Sequence, residues 1–361
     1  MNALLIYCRP GFEKEVVAEI SDKTAQYGGF GYANAVAESG WVLFTLYPPS
    51  SAADIASQID FKTLIFARQL IVVCDELQDL PLNDRITPII ASFKAHLAPH
   101  FLHKSDTIWL ETPDTNAGKS LSTFCRKLTV PLRSALKKCG WLHYQGQQGV
   151  SLHVLFLANN HCLVGFSYNN NHSPHCMGIP RLRFPHDAPS RSTLKLDEAI
   201  MTFLPGKLEQ IHLREGMQAV DLGACPGGWS YQLVKRGLFV YAVDHGKIAA
   251  SLMASSKVEH CPEDGFVFKP PRHANIDWLV CDMVEQPLRI SQLICKWLVN
   301  GWCRASIFNL KLPMKKRYHE VITCFERIDT TLSAAGLRYQ LQAKQLYHDR
   351  EEITVYINIK G

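Results

Sequence analysis

No run of the chain reaches 18 apolar residues; the best stretch, Leu64 to Cys74, is broken by Arg68 and Gln69, so a membrane-spanning helix is not expected. The N-terminal apolar segment, Ala3 to Cys8, is too short for a signal-peptide core and runs into Arg9, Pro10 and Gly11. There is no C-x-x-C pair among 12 cysteines. In a long chain without an export signal such cysteines read as reduced thiols. His172, His175 and Cys176 come nearest to a metal cluster, but they lack paired ligand spacings, so no metal is expected. Internal repeats and low-complexity tracts are missing too. These absences describe a soluble, unexported, cytoplasmic protein without membrane association.

What is present is a composition that buries a full core: 47% hydrophobic and 20% charged residues over 361 positions, long enough for two or three domains. The net charge, 38 − 33 = +5, permits a nucleic-acid partner without demanding one. The pattern changes at Tyr168–Ser192, which holds four prolines, an Asn run, and Arg181, Arg183 and Arg191 against the lone acid Asp187. It reads as a linker.

Before the linker, strands are expected at Ala3–Cys8, Gly40–Tyr47, Leu64–Cys74, Thr107–Glu111, Ser151–Leu157 and Cys162–Tyr168. Helices are expected at Glu13–Tyr27, Ser51–Ile59, Arg85–Leu97 and Ser120–Lys138. The first half is an α+β region whose opening resembles a ferredoxin-like unit. After the linker the alternation is cleaner. Strands at Gln218–Leu222, Leu238–Val243, Trp278–Asp282 and Ser306–Lys311 alternate with helices at Leu194–Phe203, Trp229–Arg236, Leu288–Asn300 and Lys316–Ala335. That predicts an α/β, doubly wound, mostly parallel sheet. Closing strands at Leu337–Gln345 and Glu352–Ile359, joined by a short connection, predict one antiparallel strand.

The most informative segment is "VDLGACPGGWS", Val220 to Ser230. It follows an apolar strand and opens a helix, with Gly223, Gly227 and Gly228 allowing a tight turn and close approach of a ligand. It is neither G-x-G-x-x-G nor a P-loop. Asp221 ends the first strand and Asp244 the second, where an α/β sheet holds ribose hydroxyls. S-adenosylmethionine fits better than a dinucleotide, because it has no pyrophosphate and an acid such as Asp221 suits its cationic end. Asp264, in "EDGF", is expected where a third strand begins, positioned to accept from an adenine amino group.

At the other end of this half, Asp282 ends "WLVCD", Lys311 ends "SIFNLK", Glu352 opens the last strand in "REEITVYI", and Lys195 lies on the helix before the first strand. Ligands bind at the carboxyl ends of open α/β sheets. A lysine there is costly to bury unless paired. Partly desolvated near a second lysine, it serves as a general base toward a hydroxyl. Alone, Lys311 reads first as a salt-bridged or snorkelling lysine. Cys225 and Cys281 raise carbon methylation as an alternative, but Cys281 precedes Asp282 on a strand and points away from it. Asp282-Met283-Val284-Glu285 lacks the Asn/Asp-Pro-Pro-aromatic turn used for exocyclic amines.

The strings "DLGACPGGWS", "CDMVE", "FNLKLP" and "REEITVYI" resemble the FtsJ-type ribose 2′-O-methyltransferases. The strings "CRPGFEKE", "FCRKLTVPLR", "MGIPRLRFP", "DAPSRSTLKL", "LVNGWC", "LKLPMKKRY" and "QLYHDREE" resemble, more narrowly, the M group of bacterial large-subunit ribosomal RNA methyltransferases. The resemblance covers essentially the whole chain. It implies a Lys-Asp-Lys-Glu tetrad at Lys195, Asp282, Lys311 and Glu352, with Lys311 as proton acceptor. Glu351 is adjacent and is the alternative; Glu352 is preferred because it directly precedes the alternating strand. The resemblance places the donor against Ser192, Cys225, Pro226, Gly227, Gly228, Asp244, Asp264 and Asp282. It implies methylation of a cytidine 2′-hydroxyl of 23S ribosomal RNA, free or in a large-subunit precursor particle. It assigns residues 1–75 to a ferredoxin-like unit, 76–170 to a THUMP-like RNA-binding domain, 171–192 to a linker and 193–361 to the methyltransferase. Arg181, Arg183, Arg191, Lys315, Lys316 and Arg317 are expected to meet RNA phosphates, as are Arg126, Lys127, Arg133, Lys137 and Lys138 on the long helix of the first half. Trp229, Tyr318 and Tyr347 are candidates for base stacking, with core packing at least as good for Trp229. Rival readings are an inactive RNA-binding or ribosome-assembly protein, an RNA base methyltransferase and a small-molecule O-methyltransferase.

Overall fold

The computed structural model describes residues 2–101, 105–142 and 149–360. It divides into two compact units, Met1–Pro180 and Arg181–Gly361.

In the first unit the described order is β1 (Ala3–Tyr7), α1 (Glu13–Ala25), β2 (Gly31–Ala35), β3 (Trp41–Leu46), α2 (Ala52–Gln58), β4 (Gln69–Leu77), α3 (Ile86–Phe101), β5 (Ser105–Glu111), α4 (Asn116–Lys138), β6 (Val150–Ala158) and β7 (His161–Tyr168). The strands form one seven-stranded sheet, β2-β3-β1-β4-β7-β6-β5. Its first four strands are antiparallel in ferredoxin-like order. β4 pairs with both β1 and β7, so one sheet runs through the whole unit.

One sequence expectation fails here, and one strand was missed. The apolar run Leu64–Cys74 is buried throughout, yet the strand starts only at Gln69. The amides of Ile65 and Phe66 donate to the buried Glu19 carboxylate instead of to a neighbouring strand. β2 was not legible because "GYANA" is a largely exposed edge strand without apolar alternation.

In the second unit the described order is α5 (Thr193–Phe203), α6 (Lys207–His212), β8 (Gln218–Leu222), α7 (Gly228–Lys235), β9 (Phe239–Val243), α8 (Ala250–Met253), β10 (Val258–Cys261), β11 (Ile276–Cys281), α9 (Pro287–Val299), β12 (Ala305–Lys311), α10 (Arg317–Ala334), β13 (Arg338–Lys344) and β14 (Glu352–Lys360). The sheet order is β10-β9-β8-β11-β12-β14-β13. Among the described strands, β14 runs opposite to the other six. Trp229, Trp278, Leu233, Ile200 and Tyr356 lie in the core that joins sheet and helices. Trp229 is 2% exposed, so it packs the core and offers no stacking face. The third strand, β10, ends before Asp264 rather than beginning there. With four residues and one buried side chain, it left no readable pattern.

Candidate active site

β8 is flanked by β9 and β11, all parallel. Their carboxyl ends deliver three carboxylates to one region: Asp221, Asp244 and Asp282. Asp221 is fully buried and accepts from Ser230 Oγ at 2.7 Å. Burial pushes its carboxyl up to about 7, opposed by the Ser230 hydrogen bond and reinforced by Asp282 and Asp244. Asp244 accepts from the Cys225 amide at 3.0 Å and the Gly246 amide at 2.7 Å. It therefore ties the turn after β8 to the turn after β9.

Two glycines of the first turn are required by space. Gly223 has φ +78°, and a Cβ there would lie 2.6 Å from Met283 Cγ. Gly228 opens α7 against the Ser190–Ser192 hydroxyl pair, and a Cβ there would lie 2.2 Å from Ser192 Oγ. Cys225, Pro226 and Gly227 complete the turn. Asp264 is exposed in the loop after β10 and accepts from the Phe266 amide at 2.8 Å. A tight backbone cradle beside three clustered carboxyls fits a compact cationic ligand, and S-adenosylmethionine carries both an ammonium and a sulfonium.

Beside this cradle the four chemistry-bearing residues come together. Lys311 Nζ lies 2.6 Å from Asp282 Oδ1 and 3.8 Å from Glu352 Oε1. Lys195 Nζ lies 2.5 Å from Glu352 Oε1 and 3.4 Å from Asp282 Oδ2. Two amines thus share two carboxylates, with Glu352 buried and the other three side chains partly exposed. Register explains the meeting: Lys311, the last residue of β12, is the Cα partner of Glu352, the first residue of β14. Burial alone would lower the Lys195 pKa, but Asp282 and Glu352 outweigh it and hold it above the ordinary lysine value. Lys195 therefore stays an ammonium. Glu351 points elsewhere, forming an ion pair with Arg317 at 2.5 Å.

Two supports were missed at the level of sequence. Asn309 donates to Asp282 Oδ1 at 2.8 Å. Glu198, one helical turn beyond Lys195 on α5, accepts from the amides of Tyr347 and His348 at 2.7 and 2.9 Å, pinning the loop before β14. The period-two spacing in "NLK" was the available signal for Asn309.

The cysteine alternatives fare differently. Cys281 is fully buried, and burial raises its thiol to about 12. Cys225 is exposed, and its Sγ lies 3.4 Å from the Lys247 carbonyl. Neither is a nucleophile beside the amine cluster.

The basic residues are disposed unevenly. Arg181, Arg183, Arg191, Lys315 and Lys316 are exposed. Arg317 is committed to Glu351, and its side chain is only 16% exposed. Arg126, Lys127, Arg133, Lys137 and Lys138 are exposed on α4. Tyr318 and Tyr347 are half-buried. Among the described residues no group of three His, Cys, Asp or Glu side chains is arranged to hold a metal ion. No described helix is long and apolar enough to cross a membrane.

Comparison with known proteins decides the family. The chain is 62% identical to the ribosomal RNA large subunit methyltransferase M of Pasteurella multocida, covering all of both chains. The chain belongs to the ribosomal RNA large subunit methyltransferase M family. The Haemophilus influenzae (strain PittGG) protein of that name is 60% identical, again over all of both chains. The Actinobacillus pleuropneumoniae serotype 3 protein is 59% identical over 100% of this chain and 99% of its own. Within the family's three parts, the ferredoxin-like domain matches residues 1–71 and the methyltransferase M N-terminal domain residues 84–168. The FtsJ-like methyltransferase matches residues 188–330. The second unit therefore has the α/β fold of class I methyltransferases.

Proposed function

We propose that this methyltransferase moves the methyl group of S-adenosylmethionine to the 2′-hydroxyl of a cytidine in 23S ribosomal RNA, with Lys311 as general base. The observation that carries the reading is the Lys195–Asp282–Lys311–Glu352 cluster at the strand ends, beside the glycine cradle. S-adenosylmethionine, when bound, supplies an electrophilic methyl on a good leaving group. The protein's task is then alignment and removal of one proton. Alignment contributes about 7–11 kcal/mol in favourable cases, and a positioned base about 10²–10⁴-fold.

Asp221, Asp244 and the turn from Gly223 to Gly228, with Ser192 behind it, hold the cationic donor; Asp264 faces the adenine. Lys195 is kept charged by its carboxylates, and Lys311 takes the hydroxyl proton, as the resemblance to the FtsJ-type tetrad implies. Asp282 and Glu352 then stabilise the ammonium formed at Lys311 Nζ. Arg181, Arg183, Arg191, Lys315 and Lys316 meet phosphates at the mouth. Arg317 serves them indirectly, by fixing Glu351 and the start of α10. Residues 1–75 and 76–170 act as ferredoxin-like and THUMP-like RNA-binding parts, residues 171–192 link them to the methyltransferase of residues 193–361, and the exposed basic face of α4 adds phosphate contacts.

The test is transfer of labelled methyl to large-subunit ribosomal RNA from a strain lacking this gene, followed by alkaline hydrolysis. Label in an alkali-resistant cytidine dinucleotide supports ribose methylation. Label in alkali-sensitive nucleotides moves the chemistry to the base and overturns the reading. Absence of label from both naked RNA and precursor particles would mean an inactive RNA-binding protein.

A further inference from the structure

Beneath the tetrad lies a second row of polar side chains that the chemistry above does not use. Along β12 and β14, successive residues on one face are two apart. Lys311 pairs with Glu352, then Asn309 with Thr354, then Ile307 with Tyr356. The polar stack is thus two rows deep before the apolar core resumes. Asn309 and Thr354 are fully buried, as is Asp349 in the loop before β14. Unsatisfied polar groups at such depth are costly, so their hydrogens can be counted.

Asp282 Oδ1 accepts from Asn309 Nδ2 at 2.8 Å and Lys311 Nζ at 2.6 Å. That fixes the Asn309 amide with its Oδ1 turned toward Thr354, whose Oγ1 lies 2.8 Å away. The same Oγ1 lies 3.2 Å from Asp349 Oδ1 and 3.1 Å from its Oδ2. A threonine hydroxyl has one hydrogen. If it is given to Asn309, the contact with Asp349 needs a proton on Asp349. The Leu346 amide donates to the same carboxyl, at 2.9 Å from Oδ2. The chain then runs in one direction: the Asp349 carboxyl O–H to Thr354 Oγ1–H to Asn309 Oδ1, and Asn309 Nδ2–H to Asp282.

We propose that Asn309, Thr354 and a neutral Asp349 are positioning residues, a buried relay that locks the Asp282 carboxylate against the Lys311 amine. The environment favours the neutral acid. Burial raises the Asp349 pKa well above the usual carboxylate range, with Glu352 on β14 and Glu198 on α5 adding to it and the Leu346 amide and Lys195 opposing it. Glu198 also holds the loop that carries Asp349, through His348 Nδ1 at 2.6 Å. One helix, α5, thus supplies a tetrad lysine and the anchor of the relay's far end.

The relay's role rests on Lys311 being the base, and the experiment separates the two. Lys311→Ala, Thr354→Val, Thr354→Ser, Asp349→Asn and Asp349→Ala are compared in the labelled-methyl assay across pH, with donor binding and melting measured on each. Thr354→Val is expected to lower kcat by on the order of 10–100-fold, the cost of a small misplacement, with donor affinity unchanged. The loss should fall on kcat alone, with KM for the donor at its wild-type value. Thr354→Ser and Asp349→Asn should restore activity, since serine keeps the hydroxyl and an amide keeps a neutral donor; Asp349→Ala should not. An inactive Lys311→Ala beside a Thr354→Val enzyme with wild-type kcat overturns the relay alone. A folded but inactive Asp349→Asn overturns the neutral-acid assignment even if Thr354→Val does not fold. An active Lys311→Ala overturns the base assignment and the relay with it.

Discussion

Asp221→Asn is the substitution in which stability and donor binding are expected to move in opposite directions. The wild-type carboxyl sits fully buried at the end of β8 with a pKa of about 7, against 3.8 in an ordinary aspartate. Between those values the folded protein binds the proton more tightly than the unfolded chain. Stability therefore falls as pH rises from about 4 to about 7, and is lower by ~4 kcal/mol above that window. Asparagine keeps the acceptor for Ser230 and cannot ionise. The variant should lose this part of the pH dependence and be roughly 3–4 kcal/mol more stable than wild type at pH 8. In the second unit that is a melting increase on the order of 10 °C. A cationic donor offsets the same buried charge, so wild type should gain more stability from S-adenosylmethionine at pH 8 than at pH 5, while the variant gains little at either. Differential scanning calorimetry at pH 5, 6, 7 and 8, with and without donor, reads all of this. A variant no more stable than wild type at pH 8, with an unchanged slope, would refute the buried-charge argument.

Lys311→Ala should abolish methylation while donor affinity, measured by isothermal titration, stays within a few-fold of wild type, because the cradle is untouched. Gly228→Ala places a methyl carbon 2.2 Å from Ser192 Oγ and 2.4 Å from Ser190 Oγ; the start of α7 must shift, costing ~1–3 kcal/mol in melting and raising the donor KM. Replacing Lys315 and Lys316 together by Ala should leave kcat and donor binding intact. It should lower the slope of log Kd for RNA against log salt by about 2, one for each lost phosphate contact.

The parts of this fold that announced themselves are those with internal apolar alternation or apolar runs. "VDLGA" and "WLVCD" belong to strands buried on both faces in mid-sheet and carry an acid at or just past the strand end, so strand, direction and chemistry could be read from one string. The edge elements β2 and β10 carry almost no buried side chains and left no pattern. The run around Ile65 and Phe66 misled for another reason. Its amides are satisfied by a carboxylate on α1, a long-range contact to which local periodicity is blind. At the site, charged residues at strand ends stood out because burying them is expensive. Asn309 and Thr354 did not, since uncharged polar residues inside a strand carry little signal until register shows that they face each other. Register also separates Glu351 from Glu352, which the sequence left as alternatives: one faces Arg317, the other the two lysines.

The single antiparallel strand is what makes the cluster possible. In a parallel sheet the residues beside the last position of β12 would come from the last positions of its neighbour. β14 instead runs the other way, so its first residue, Glu352, stands beside Lys311. Its third residue, Thr354, stands beside Asn309. The same reversal brings the connection between β13 and β14 to the carboxyl end of the sheet, where ligands bind. That connection carries Asp349 and is held by Glu198 from α5. The final hairpin thus contributes Glu352 to the cluster, the Thr354 hydroxyl to the layer beneath and Asp349 behind it. A chain ending at β12 would keep Asp282 and Lys311 but lose every partner that orients them except Lys195 and Asn309.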